Sequence, residues 1–182
     1  MGSFGITSSE FECFIGSIET RVMQTVWRVT RNQADAEDAV QAALSTAWRR
    51  REVLAAHPNP VALMLKICID ASLDLVKKKR STRGTLERYV NADIQPTRIA
   101  APSELAESEE SIALILFEIQ QLPRNLSEAI LMRLVNELPY SEIASALDCT
   151  EVAARKYVQR GRSQLQARLR CLDLDQFTGG NR

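Results

Sequence analysis

Leu138 to Leu165 reads LPYSEIASALDCTEVAARKYVQRGRSQL, two short amphipathic segments joined by a tight polar step. Ile143, Ala144 and Leu147 give the first segment an apolar side. Asp148 and Cys149 leave room for a turn, and Thr150 stands where a side-chain oxygen can cap a second helix. In that second segment Ala154, Val158, Gly161, Leu165 and Leu169 recur at three- and four-residue steps and form one stripe, and Gly161 permits close approach of a neighbouring helix. The opposite stripe carries Arg155, Gln159 and Arg162, with Lys156, Arg160 and Ser163 beside it. The pattern predicts a helix-turn-helix whose second helix can enter a major groove. There Arg pairs with guanine edges, Gln with adenine, and the outer cations hold phosphates. A solvated basic helix carries the same stripe; the short helix joined in front of it is what favours DNA.

The preceding chain is helical throughout. Phe11, Phe14, Ile15, Ile18, Val22, Val26 and Val29 set a helical period from Ser9 to about Thr30, and Asn32 breaks it. A second helix runs from near Ala34 to around Arg51 and buries Ala36, Val40, Ala43, Leu44 and Ala47. EVLAAHPNP, residues 52–60, reads as a loop, and Pro60 suits the first turn of a third helix reaching Lys79 or Arg80. STRGTLERYVNADIQPTRIAAP, residues 81–102, loses the period and gains Gly84, Pro96 and Pro102. It reads as a linker with one helical turn at Leu86 to Val90. Ser103 caps a helix carrying Leu105, Ile112, Leu116 and Ile119 to Leu122. Helices from about Asn125 to Asn136, Pro139 to Leu147 and Glu151 to about Leu169 follow. The expected fold is all-α: two small helical domains joined by a flexible linker, the second a helix-turn-helix of winged-helix-like type. Residues 1–80 form the first domain, 81–103 the linker, 104–172 the second domain and 173–182 a tail, in which LDLDQF is either a small docking helix or nothing.

At 182 residues the chain suffices for one domain or two small ones. No stretch approaches the ~18 apolar residues of a membrane span, and the amino terminus lacks the basic start and apolar run of a signal peptide. A cytoplasmic protein is expected. Cys13, Cys68, Cys149 and Cys171 lie far apart and His57 is the only histidine, so metal-site spacing is absent, no cofactor is expected, and the thiols read as reduced residues in or near the core. The net charge of zero conceals segregation. Residues 1–90 carry 13 basic and 10 acidic side chains, residues 91–122 carry 1 and 6, and residues 123–182 carry 9 and 7. Lys77 to Arg88 and Arg155 to Arg170 each hold six cations, the kind of block that marks either nucleic-acid contact or a solvated face.

QADAEDAVQAALSTAW, residues 33–48, puts Asp35, Glu37 and Asp38 at the start of a helix that ends in Arg49, Arg50 and Arg51. This order suits the helix dipole, at ~0.3 to 1 kcal/mol per charge. It also builds an acidic edge fit for a basic partner.

Two segments resemble the extracytoplasmic-function sigma factors of bacterial RNA polymerase. LPRNLSEAILMRLVNELPYSEIASALDCTEVAARKYVQRGRSQLQARL looks like their fourth conserved region. RNQADAEDAVQAALSTAWRRR followed by ALMLKICIDASLDLVKKKR looks like their second. The resemblance covers roughly residues 10–80 and 105–170, in the family's order and without a third region. It implies a first domain that binds the clamp helices of the largest polymerase subunit through Asp35, Asp38, Gln41, Ser45 and Trp48. That domain would recognise the minus-ten promoter element through His57, Asn59, Lys66, Lys77, Lys78, Lys79 and Arg80. The second domain would bind the flap tip of the second subunit and read the minus-thirty-five element through Thr150, Arg155, Lys156, Gln159, Arg160, Arg162 and Ser163. The family also implies an anti-sigma factor as partner and a monomer when free. The sequence departs from the pattern at Leu63, where an aromatic is usual, at Ile69 and Asp70, where Arg-Asn is frequent, and at Ala153 and Ala154, where Thr-Val is usual. Asp70 would repel phosphate if it faced DNA.

Two other functions compete. A sigma-like mimic that sequesters an anti-sigma factor needs no cationic DNA faces, yet this chain keeps two. A helix-turn-helix repressor would be a symmetric dimer on a palindrome, and it leaves the acidic edge of residues 33–48 without a use. An enzyme finds no nucleophile with its base, no paired carboxylates placed for metal and no phosphate-cradling glycine loop.

Overall fold

Thr7 opens the first element. Its hydroxyl accepts from the Glu10 amide at 3.2 Å while the Glu10 carboxylate accepts from the Thr7 amide at 2.8 Å, a reciprocal cap that starts α1, Ser8–Thr30. Arg31 ends α1 in the left-handed conformation (φ 54°), and Asn32 starts α2, Gln33–Arg49, by accepting from the Asp35 amide at 3.0 Å. Then come α3 (Arg51–Ala56), α4 (Pro60–Val90), α5 (Glu104–Gln120), α6 (Arg124–Leu134), α7 (Tyr140–Ala146) and α8 (Glu151–Thr178). This computed structural model describes residues 7–90 and 104–178, with side chains over 7–79 and 112–170.

Several boundaries differ from those read in the sequence. Residues 51–56, expected as mostly loop, form α3, because Val53, Leu54, Ala55 and Ala56 can close a turn that buries Leu54. Only residues 57–59 remain as a loop. α4 continues ten residues beyond Arg80 into the expected linker: Leu86, Glu87 and Arg88 favour helix enough to outweigh Gly84. α8 runs past Leu169 to Thr178 and takes in LDLDQF. The Ser103 cap and the rest of the linker lie outside the described residues. Among the described residues every regular element is a helix, so the helix-turn-helix stands without a wing.

α2 packs with methyl groups. Its buried residues are Ala36, Ala39, Ala43 and Ala47, while Val40 and Leu44 are only half-buried, one step round the helix from the expected face. A row of alanines lets α1 and α4 approach α2 closely, and that closeness decides which face turns inward. Around this row Phe11, Val22, Val26, Leu54, Leu63, Met64, Ile67 and Cys68 complete one core.

α4 is buried on two sides. Met64, Ile67 and Cys68 belong to the first core, whereas Leu65, Ile69 and Leu73, spaced four apart, join Val29 and Ala62 in a second core with Ile119, Leu122, Leu126, Ile130, Leu131, Leu138, Ile143, Val158 and Leu165. The two helical units therefore share apolar contact across α4. Polar contacts extend the junction: Arg28 Nη1 donates to the Val135 carbonyl at 2.6 Å, and the Thr25 hydroxyl meets Asn136 Oδ1 at 2.5 Å.

Gly161 is the point of closest approach within the second unit. A Cβ there would stand 2.4 Å from Ile130 Cδ1 and 2.9 Å from its Cγ1, so α8 crosses α6 where only glycine leaves room. The close helix packing expected of Gly161 is present. Glu118, buried on α5, accepts from Arg168 Nη1 of α8 at 3.2 Å and ties these two helices of the unit together.

Candidate functional site

The joint between α7 and α8 is a tight reversal. Asp148 adopts the left-handed conformation (φ 49°), and the Cys149 amide donates to the Ala144 carbonyl at 3.0 Å, closing the end of α7 in the manner of a Schellman cap. Thr150 Oγ1 then accepts from the Ala153 amide at 3.2 Å and starts α8. Glycine is usual at a left-handed cap because a Cβ costs ~1 kcal/mol or more there, and Asp is among the few side chains that tolerate it. Asp148→Ala is expected to lower stability by about 1 kcal/mol, and Asp148→Gly to match or exceed the wild type, in urea unfolding followed by circular dichroism.

The inward stripe of α8 matches expectation: Ala154, Val158, Gly161 and Leu165 are buried and Leu169 half-buried. The outward stripe does too. Arg155, Lys156, Gln159, Arg160, Arg162 and Ser163 are all exposed, as is the capping Thr150, and Lys156, Gln159, Arg160, Ser163 and Gln164 line an open groove of about 420 Å³. Arg155 is held in place: its Nη2 donates to Glu151 at 2.6 Å and its guanidinium stacks 4.6 Å from the Tyr140 ring, whose surroundings also include Arg133 at 5.1 Å. Val152, 63% exposed beside this cap, was not singled out from the sequence. An exposed branched methyl pair at the start of a groove-binding helix is suited to a thymine methyl.

On α2 the side chains of Glu37, Asp38, Gln41, Ser45 and Trp48 lie exposed along one edge. Trp48 is 39% exposed, meets Phe11 edge-on at 5.2 Å and carries Arg51 over its ring at 4.8 Å, so it is anchored yet accessible. Asp35 departs from this edge. Its carboxylate is paired with Lys79 of α4 and half-buried.

The residues expected at the minus-ten face are brought together, but partly inward. Asn59 Oδ1 accepts from the Ala62 amide at 2.9 Å and caps α4. His57 Nδ1 lies 2.8 Å from the Asn59 carbonyl and 3.0 Å from the Asn59 amide, and Nε2 reaches the Ser145 carbonyl of α7 at 3.1 Å. Lys66 Nζ pairs with Asp70 at 2.7 Å. Lys77, Lys78 and Lys79 are exposed, and the Arg80 side chain lies outside the described residues. Asp70, which would repel DNA, points at Arg124 of α6 instead. Arg124, Asp74 and Glu128 were missed in the sequence, although the four-residue steps Lys66, Asp70, Asp74 and Arg124, Glu128 carried the signal.

Glu128 is buried among charges. Loss of solvation and the neighbouring Asp70 carboxylate push its pKa up from 4.5 to about 7, against the opposing pull of Lys66 and Arg124. Three carboxylates share two cations here, so one proton is the natural neutraliser. His57, Arg50 and Asp148 line the same cleft of about 440 Å³. The folded chain holds this proton between about pH 4.5 and 7, where the unfolded chain has released it. Stability is therefore expected to fall as pH rises through that window and to level off above it. Urea midpoints across the window measure this, and Glu128→Gln should flatten the profile.

Among the thiols, Cys68 is buried and its pKa is pushed up to about 12 by burial and by Asp70. Cys149 is half-buried and raised by burial and Asp148. Cys13 is exposed on α1, contrary to the expectation of a core position, and Cys171 lies outside the described side chains. Among the described residues no three His, Cys, Asp or Glu side chains converge as a metal site would require, and no helix is long and apolar enough to cross a membrane.

These two units correspond to known families. The description of sigma-70 region 2 matches residues 14–82 and that of sigma-70 region 4 matches residues 112–165. The ECF RNA polymerase sigma factor SigG of two Mycobacterium tuberculosis strains is 28% identical over 160 residues, spanning 77% of this chain and 43% of that protein. The chain thus spans less than half the length of the curated relatives it matches. Among solved structures, CnrH in complex with the cytosolic domain of CnrY superposes with a TM-score of 0.55 at 16% identity, over 91% of this chain and 90% of that one. The sigma factor RpoE in complex with the anti-sigma factor NepR from Bartonella quintana gives a TM-score of 0.52 at 17% identity, over 89% and 98%. The chain belongs to the sigma-70 family, in its extracytoplasmic-function (ECF) branch.

Proposed function

We propose that the chain is an alternative sigma subunit that docks on core RNA polymerase, reads both promoter elements and starts transcription. The observation that carries this reading is that one chain presents two separate surfaces: an exposed acidic and polar edge on α2 and an unbroken cationic stripe on α8. Residues 1–80 serve as the polymerase and minus-ten unit, 81–103 as the connection, 104–172 as the minus-thirty-five unit and 173–182 as a tail. Asp38, Gln41, Ser45 and Trp48 meet the clamp helices, with Asp35 steadied by Lys79 behind them. Lys77, Lys78, Lys79 and Arg80 hold phosphates at the minus-ten element, while His57, Asn59 and Lys66 stand where the melted strand passes. On α8, Arg155 and Gln159 read base edges, and Lys156, Arg160, Arg162, Thr150 and Ser163 steady the backbone.

No covalent bond is made or broken by such a protein. Phosphate contacts supply affinity that is independent of sequence, base contacts add discrimination, and capture of unstacked bases favours the open strand. The working compartment is the cytoplasm, where polymerase and promoter are. A second protein partner of anti-sigma type fits the family, and CnrH and RpoE were both solved with a partner bound.

Size-exclusion chromatography of the purified chain with core RNA polymerase that lacks sigma tests the reading. Stoichiometric co-elution and promoter-dependent run-off transcripts are expected. A folded monomer that ignores polymerase but captures an anti-sigma factor would make it a mimic, and a dimer that binds a palindrome would make it a repressor.

A further inference from the structure

Five charged side chains meet where α4 faces α6. Arg124 reaches three carboxylates: Nη2 lies 3.0 Å from Asp70 Oδ1, Nη1 lies 2.5 Å from Asp74 Oδ1, and Nε donates to Glu128 Oε1 at 2.8 Å. Lys66 Nζ completes the seam, 2.7 Å from Asp70 Oδ2 and 3.9 Å from Glu128 Oε2. Lys66, Asp70 and Asp74 follow one another at four-residue steps, so a single face of α4 carries charge along two turns and aims it at the second domain.

Packing around this seam is open. A cleft of about 260 Å³ borders it at Leu73, Asp74, Lys77, Gln121 and Arg124, and another of about 380 Å³ at Thr46, Arg50, Asp70, Lys78 and Arg124. Asp70 Oδ1 makes no hydrogen bond of good geometry although it is shielded from solvent. A seam with solvent at both edges and an under-satisfied oxygen inside can part and re-form. The apolar residues beneath it supply attraction between the domains, and the charges fix which face meets which.

We infer that the Asp70–Arg124–Glu128 seam is an internal latch that holds the two domains closed and keeps Lys66 and His57 from the minus-ten strand until a partner draws the domains apart. The inference rests on the sigma reading of Lys66 and His57. Lys66 is paired with Asp70 of its own helix at 2.7 Å, and the second domain adds Glu128 at 3.9 Å, a carboxylate standing where a phosphate would have to approach. His57 is occupied likewise by the Ser145 carbonyl, and its cleft is walled by Asn125, Glu128, Leu147 and Tyr157 of the second domain. Asp70, the residue at which the family pattern breaks, gains a purpose. A free chain whose minus-ten face is covered in this way binds promoter DNA weakly.

Two variants of the full chain test the latch from its two sides. Arg124→Glu sets a fourth carboxylate among three, and Asp74→Lys reverses an exposed partner without touching a core. The readouts are the radius of gyration from small-angle X-ray scattering and the anisotropy of a fluorescein-labelled single-stranded oligonucleotide. Both variants should be larger than the wild type and bind the strand about tenfold or more tightly, because a closed majority divides the apparent affinity by the open fraction. An unchanged radius in both variants overturns the latch. A larger radius without a gain in strand affinity overturns the masking. Co-elution with core polymerase is read separately on all three proteins, since the Asp38 edge is untouched. Its failure in all three would sink the sigma reading, while scattering would still decide whether the seam holds the domains closed.

Discussion

Asp38→Arg is expected to abolish co-elution with core RNA polymerase while leaving the helical circular-dichroism spectrum and the urea midpoint unchanged. Asp38 is exposed in the second turn of α2 and makes no ion pair or hydrogen bond among the described residues, so the fold loses nothing when it is reversed. The dipole contribution at this depth in the helix is small, a few tenths of a kcal/mol. At a docked surface the effect is of another size. Placing a guanidinium opposite the basic partner proposed for this edge exchanges attraction for repulsion, and like charges juxtaposed in an interface cost several kcal/mol, about a hundredfold or more in Kd. Glu37→Arg, next along the helix and turned toward Gln24, Trp27 and Gln33 of an apolar groove, should weaken docking less. Retained co-elution of a folded Asp38→Arg protein would remove α2 from the polymerase contact.

Gly161→Val should lower stability by about 2 to 3 kcal/mol, and with it minus-thirty-five binding. Ile130 has no exposed surface, so the added Cβ, which would fall 2.4 Å from its Cδ1, cannot simply turn the isoleucine aside into solvent. Either Ile130 leaves its rotamer or α6 and α8 move apart, and overpacking of this kind costs ~1 to 3 kcal/mol. The better helix propensity of valine over glycine returns only a few tenths of a kcal/mol. A fall in Tm of roughly 5 to 10 °C follows for a chain of this length. Ile130→Ala removes both colliding atoms. The double variant Gly161→Val with Ile130→Ala should therefore be less destabilised than the sum of the two single changes, and simple additivity would show that the two residues do not compete for one space.

The helical architecture was legible because its signals are local. Apolar spacing placed α1, and Pro60 the start of α4, within a residue, and Gly161 announced the closest crossing. The outward stripe of α8 was legible for the same reason: its six side chains are exposed as the periodicity required. What could not be read is long-range. Val40 and Leu44 outrank alanine in hydropathy, yet two helices press on α2 at once and methyl groups win that face. Asp35 looked equivalent to Asp38 until α4 delivered Lys79 beside it. Asp70 showed only as a breach of pattern, because its partner Arg124 lies 54 residues away in sequence and no period links them. His57 was read as a minus-ten residue in a loop, and its bond to Ser145 depends on the docking of a second unit.

The alanine row of α2 separates two kinds of evolutionary freedom. Ala36, Ala39, Ala43 and Ala47 are buried between α1 and α4, so a larger side chain on this inner edge costs overpacking. Apart from Trp48, which packs against Phe11, the outer edge stands away from that interior. On the proposed docking role, Asp38, Gln41 and Ser45 can be exchanged one at a time to retune the grip on polymerase, and each exchange can be selected for occupancy alone, with the scaffold indifferent to the outcome.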